Sequence, residues 1–144
     1  EISACLVGSE MCIRDRNMFD FGAAHRTEGD RPGINDKGLV THDRKIKKDA
    51  YYFYRANWNP EPMIYIAGRR NVNRVKPLVD VQVFSNVEEV ILIVNDCQCR
   101  RMKPDSLKVC LFKDVPLRKG RNEIEVRAND SKKQLIDRCT WILQ

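Results

Sequence analysis

One stretch of this chain collects most of the side chains able to do chemistry in a loop setting. It holds the carboxylates Asp20, Glu28, Asp30, Asp36 and Asp43, the only two histidines, His25 and His42, and the triplet Asn35-Asp36-Lys37. Such groups can transfer protons, attack carbon or grip a polar ligand. Single histidines in polar loops are more often solvated than catalytic or metal-bound, and no role is assigned to either. The carboxylates read first as loop solvation, capping and support of neighbouring groups. The other reactive type is thiol. Cys97-x-Cys99 is too close and too isolated for a structural zinc site, which needs paired Cys or Cys/His spacings. Cys110 and Cys139 fall in apolar strand patterns, where a thiol acts as a small buried hydrophobe. Free thiols are therefore expected, and neither a metal nor a cofactor is implied.

The elements that must position these groups belong to a chain of 144 residues with 42% hydrophobic and 32% charged composition, which is globular and contains no run long enough to span a membrane. The net charge of +6 comes with only short basic runs, at residues 44–48, 69–70, 100–103 and 132–133, interrupted throughout by acidic residues. A surface that neutralises nucleic-acid phosphates needs tighter clustering, so the charge reads as a solvated basic surface.

Residues 1–16, EISACLVGSEMCIRDR, lack useful periodicity and lack the order of a signal peptide. They resemble translated sequencing-adapter DNA of the kind found at the ends of assembled metagenomic reading frames. The resemblance implies an artefactual leader, with the natural sequence resuming at Asn17 and extending upstream.

Residues 17–21 form a short apolar run ended by Gly22, expected as a buried strand opening into a long loop, 22–38, rich in glycine. Asp43 is placed to cap a helix, and Ile46, Ala50, Phe53, Tyr54 and Trp58 recur on one face of it. That spacing makes the aromatic cluster at 51–58 a packing face ahead of a sugar-stacking platform. Asn59-Pro60 ends the helix, because proline has no N–H and clashes with the preceding turn. A linker strand is expected at 63–67, followed by a polar stretch at 68–76. Period two then takes over. Strands are expected near 79–84, 90–94, 97–102, 107–112, 123–128 and 135–143, with turns at Asn95-Asp96, 103–105, 119–122 and Asn129-Asp130. Short strands at such intervals indicate a β-sandwich.

Taken together, residues 17–22 (NMFDFG), 28–40 (EGDRPGINDKGLV) and Asp43-Arg44 resemble the end of the barrel domain in glycoside hydrolase family 2, particularly its β-galactosidase type. Residues 48–58 resemble that family's last barrel helix, and 85–90, 94–95 and 117–122 its immunoglobulin-like module. The resemblance implies an α/β fragment, the last strand and helix of an eight-fold β/α barrel, at 17–60. A linker at 61–77 and an all-β immunoglobulin-like sandwich at 78–144 would follow.

Active sites of such barrels lie at the carboxyl ends of the strands, so Asp20 and the 22–38 loop would face the sugar. Retaining glycosidases use two carboxyl groups about 5 to 5.5 Å apart. In this family both glutamates come from earlier strands, and the carboxylates here match neither position. The implied role is one wall of a sugar site, with no turnover by this chain alone. The family's usual tryptophan before this strand's asparagine is replaced by Arg16, where the suspected adapter ends.

Asn35-x-Lys37 resembles the triplet by which β-glucuronidases of the family grip a uronate carboxylate. An ammonium and an amide N–H can give that carboxylate charge-assisted hydrogen bonds which a hydroxymethyl group would not reward. The surrounding residues 33–40 favour the galactosidase type. Asp20, Asn35 and Lys37 are therefore the expected substrate-binding residues, and a β-galactoside, or alternatively a β-glucuronide, is the expected partner. Homo-oligomerisation of the complete enzyme is left open, and so is the compartment, with a periplasmic or secreted location slightly ahead of the cytoplasm. The reading from another class is a non-catalytic, carbohydrate-binding β-sandwich. The enzyme-fragment reading predicts an exposed apolar flank on 17–58, where further β/α units would pack.

Overall fold

Asn59-Pro60 and Asn95-Asp96 each force the chain to change direction, and the elements fall into place around them. The computed structural model describes residues 17–25, 27, 32–129 and 134–144. The expected leader, the carboxylates Glu28 and Asp30, the turn residue Asp130 and the pair Lys132-Lys133 lie outside the described residues. In chain order the elements are β1 (Phe21–Gly22), β2 (Ile34–Asn35), α1 (Asp49–Trp58), β3 (Ile64–Ile66), β4 (Asn73–Arg74), β5 (Leu78–Ser85), β6 (Val90–Val94), β7 (Gln98–Met102), β8 (Val109–Pro116), β9 (Gly120–Asn129) and β10 (Gln134–Leu143). The chain divides into two compact units between Tyr54 and Arg55.

The second unit is a β-sandwich. One sheet has the order β4-β10-β9-β6-β7 and the other β3-β5-β8. Its core comprises Ile66, Val81, Val83, Phe112, Ile124, Val126 and Trp141, with Val90, Leu92 and Val94 from a strand whose alternate residues, Ile91 and Ile93, stay half-buried on the outer side. β-branched and aromatic residues suit this pleated, half-buried surface, which is why the period-two segments become strands. Asn95 and Asp96 both adopt positive φ, 51° and 57°, and the Cys97 N–H closes the turn onto the Val94 carbonyl at 3.1 Å. Asparagine and aspartate tolerate that conformation, and it matches the twist of a hairpin.

Several boundaries differ from expectation for local reasons. Segment 61–77, expected as a linker, is built into the sandwich: β3 pairs antiparallel with β5, and β4 pairs parallel with β10. The Ile66 N–H also donates to Asp137 at 2.8 Å, and Asp137 binds the Arg69 guanidinium, tying β3 to β10 across the two sheets. β4 has two residues, too few to alternate, so no sequence pattern announces it. β8 starts at Val109 because the Asp105 carboxylate accepts the Leu107 and Val109 N–H groups, each at 2.9 Å, extending the turn. Conversely, 119–122 is mostly strand. Asn122 is fully buried there, and its amide accepts from Arg118 N–H at 2.8 Å and donates to the Arg118 and Gly120 carbonyls at 2.7 and 2.9 Å. Every polar atom of that buried amide is thus matched, as burial requires.

In the first unit, residues 17–21 do not form the expected buried strand. Met18, Phe19 and Phe21 are 51%, 40% and 42% exposed, and only Asp20 turns inward. Among the described residues this segment has short partners only: a Phe19–Val40 bridge and the two-residue β1–β2 ladder. Apolar side chains with no layer above them stay in solvent.

The helix also begins later than expected. Asp43 does not cap it, because its carboxylate accepts the Thr41 hydroxyl at 2.6 Å and the Lys45 N–H at 3.2 Å. Those bonds belong to a tight reversal at 41–46, where Arg44 has a φ of 61° and the Thr41 N–H reaches the Ile46 carbonyl at 2.9 Å. Ile46 and Lys47 are therefore extended, and α1 starts at Asp49, an acid suited to the positive end of the helix. It stops at Trp58, where the Asn59 side chain accepts the Glu61 N–H at 2.8 Å. Phe53 and Ala56 are its buried residues, while Trp58, expected on the packing face, is 76% exposed.

The four described cysteines are free thiols, Cys97 and Cys99 exposed and Cys110 buried. Burial pushes the Cys110 thiol up to about 12, with the Asp105 carboxylate adding to it, and pushes Cys139 up to about 11. The folded state therefore holds these protons more tightly than the unfolded chain. The associated stability is complete below the ordinary thiol value of 9.0 and is lost as pH rises toward 11 to 12. Iodoacetamide at mildly alkaline pH should label Cys97 and Cys99 in the native chain and spare Cys110 until denaturant is added. Peptide mapping that found Cys110 modified as fast as Cys97 would contradict this packing.

Candidate functional site

The first unit is organised around Asp20. It follows the exposed Phe19 and is itself only 8% exposed, so its carboxylate needs partners. Its Oδ1 accepts the Gly38 N–H at 2.8 Å and the Lys48 ammonium at 2.7 Å. The same ammonium donates to the Asp36 carbonyl. Backbone bonds close the arrangement: Asp20 N–H to the Val40 carbonyl and Val40 N–H to the Met18 carbonyl, both 2.9 Å, and Lys48 N–H to the Leu39 carbonyl, also 2.9 Å. Three segments far apart in sequence, at 18–20, 36–40 and 47–48, are thereby fastened together.

Gly38 is required by that closeness. A Cβ there would overlap the Asp20 nitrogen and the Phe19 carbonyl carbon and would lie 2.7 Å from the Phe19 carbonyl oxygen. All three are backbone atoms, which cannot swing aside as a side chain can. Gly33 serves differently: with a φ of 76° it bends the loop so that its carbonyl accepts the Ala23 N–H at 2.7 Å.

The expected substrate-binding residues occupy unlike environments. Asn35 sits in β2 opposite Phe21, half-buried, and its side-chain oxygen accepts the Lys37 N–H at 3.2 Å. Lys37 is half-buried on the same short turn, and among the described residues its ammonium makes no ion pair. Asn35 and Lys37 are thus brought together. Asp20 is a buried anchor whose Oδ1, among the described residues, takes both the Gly38 N–H and the Lys48 ammonium. His25 and His42 are exposed. Among the described residues no group of three or more potential metal ligands occurs.

Lys48 is the anchoring residue that sequence reasoning missed, read there as part of the solvated basic run at 44–48. Its partners lie 28 and 12 positions away, a separation no local pattern reveals. The signal that was available is the pairing of a glycine-bounded loop with an isolated acid on an otherwise apolar run.

The comparisons with known proteins point one way. No family model matches the chain. A β-glucuronidase of Bacteroides fragilis is 54% identical over 125 residues, covering 86% of this chain and 18% of that protein. The relatives are glycosidases. Among solved structures, the FMN-binding β-glucuronidase from Facaelibacterium prausnitzii L2-6 has a TM-score of 0.80 at 39% identity, covering 90% of this chain and 19% of that one. A Bacteroides fragilis protein provisionally described as a β-galactosidase has a TM-score of 0.83 at 35% identity, again over 90% of this chain and 19% of that one. The chain thus spans less than a fifth of the length of each of these relatives. Its homologues are β-glucuronidases and β-galactosidases, of which it matches a small part.

Gly38→Ala should loosen the whole assembly, because overpacking against rigid backbone costs about 1–3 kcal/mol or more. Hydrogen exchange would report it. Faster exchange is expected at the amides of Asp20, Gly38 and Val40, while β5, β6 and β9 keep their protection; unchanged exchange at Asp20 would contradict the close approach.

Proposed function

We propose that this chain is the carboxy-terminal part of a retaining β-glycosidase of glycoside hydrolase family 2. In this reading residues 17–60 are the closing strand, loop and helix of an eight-fold barrel, and an immunoglobulin-like sandwich follows. The exposed Met18, Phe19, Phe21 and Ile46 support it, since an apolar flank of that kind fits a layer supplied by the rest of a barrel. The nucleophile and the acid/base then come from other strands, and this chain supplies one wall of the sugar site.

The substrate we propose is a β-glucuronide ahead of a β-galactoside, the reverse of the order favoured by the sequence alone. The observation that carries it is Asn35 and Lys37 on one fastened turn, where an amide and an ammonium can meet the two oxygens of a uronate carboxylate. The 54% identity to a β-glucuronidase supports the same choice. Similarity to a protein provisionally described as a β-galactosidase keeps the galactoside as the second reading. Asp20 acts here by anchoring the turn beneath the sugar.

A chimera tests this directly, with residues 17–144 replacing the matching segment of the Bacteroides fragilis β-glucuronidase. It should cleave nitrophenyl β-glucuronide in preference to the β-galactoside. Lys37→Met or Asn35→Ala should each lower kcat/KM for the glucuronide by about 10- to 100-fold, the range for losing a hydrogen bond to a charged group. A chimera whose preference for the glucuronide survives both substitutions would rule out the carboxylate contact.

A further inference from the structure

Lys37 lies between two fastened backbone groups. On one side the Asp36 carbonyl accepts from the Lys48 ammonium; on the other the Gly38 N–H donates to Asp20 Oδ1 at 2.8 Å. The Lys37 N–H is held as well, by the Asn35 side chain at 3.2 Å. Lys48 and Asp20 bond to each other at 2.7 Å, so the two outer fastenings share one ion pair. That pair is largely withdrawn from water, its side chains 19% and 7% exposed, where solvent screens it less than at the surface.

We propose that Lys48 is a positioning residue for sugar recognition: through Asp20 and the Asp36 carbonyl it fixes the backbone from which Lys37 and Asn35 reach the substrate carboxylate. The inference rests on the glucuronide reading above. Lys48 does not touch the sugar. It acts because a carboxylate accepts two directed hydrogen bonds only within narrow limits, and a displacement of about 1 Å can cost on the order of 100-fold in rate. One ammonium with two acceptors on different segments removes that slack. Deleting it leaves Asp20, among the described residues, with only the Gly38 N–H as donor and the Asp36 carbonyl without this one, so the 36–38 turn is free to shift.

The measurement is the ratio of kcat/KM on nitrophenyl β-glucuronide to that on the β-galactoside, in the full-length chimera and its variants. Lys48→Met should lower the ratio by about 10- to 100-fold, the loss residing mainly in KM for the glucuronide. The double variant Lys37→Met/Lys48→Met should lose less selectivity than the product of the two single losses, because only the Asn35 contact is then left for Lys48 to position. Equal losses on both sugars, or effects on the ratio that add in the double variant, would mean a general structural role and overturn the proposal. If Lys37→Met leaves the ratio unchanged, the glucuronide reading itself fails, and the single variant shows it. Should Lys48→Met not fold, Lys48→Gln keeps a neutral amide donor and loses the charge that pairs with Asp20; it should lower the ratio severalfold, and an unchanged ratio would overturn the assignment.

Discussion

Burying the carboxylate of Asp20 without partners would be costly, because removal from water penalises the charged form unless donors replace the lost hydration. The chain answers with one N–H, from Gly38, and one ammonium, from Lys48. A buried ion pair of this kind adds little net stability, since desolvation offsets much of the attraction. What it supplies is geometry: the charge can be satisfied only if 18–20, 36–40 and 47–48 meet in one arrangement. The close backbone crossing at Gly38, the reversal at 41–46 and the late start of α1 all accommodate that meeting.

The second unit stands on a different principle. Its sheets are held by apolar area, with buried polar side chains matched at Asn122 and at Ser85, whose hydroxyl donates to the Met63 carbonyl at 2.9 Å. Its outer edges are guarded by charge. Arg100 of β7 donates to the Lys113 carbonyl at 2.6 Å and to the Asp114 carbonyl at 3.3 Å, covering acceptors at the margin of β8. On the outer face Glu125 lies between Arg127 and Arg138, which hold its carboxyl below the usual carboxylate range against the opposing effect of burial.

What could be read from the sequence divides along the same line. The sandwich strands follow from period-two hydrophobicity and from turn residues acting locally, so β5, β6, β7 and β10 are found close to their true limits. The Asn95-Asp96 reversal is found for the same reason. β4 escapes because pairing with β10, rather than any alternation of its own, makes it a strand. The first unit is harder. Asp43 has the residue type of a helix cap, yet a short antiparallel ladder between 39–41 and 46–48 takes up the backbone that a helix would need. Asn35 and Lys37 stand out in the sequence through their resemblance to the β-glucuronidase triplet, whereas Lys48 depends on contacts that only the folded chain creates. The resemblance to glycosidases rests on the joint pattern of 17–58 and the sandwich, and the relatives that the chain matches in part are glycosidases.

The crossing at Gly38 also bears on how such a sequence can change over generations. Position 38 has no neutral neighbour in sequence space, because even a methyl group meets backbone. Positions 20 and 48 form a charge couple, so replacing either partner alone leaves an ion stranded, and a viable lineage would alter both together or neither. A loop that looks like free surface in the sequence is therefore under three linked constraints, and divergence in it should concentrate in the glycine-rich approach before residue 33.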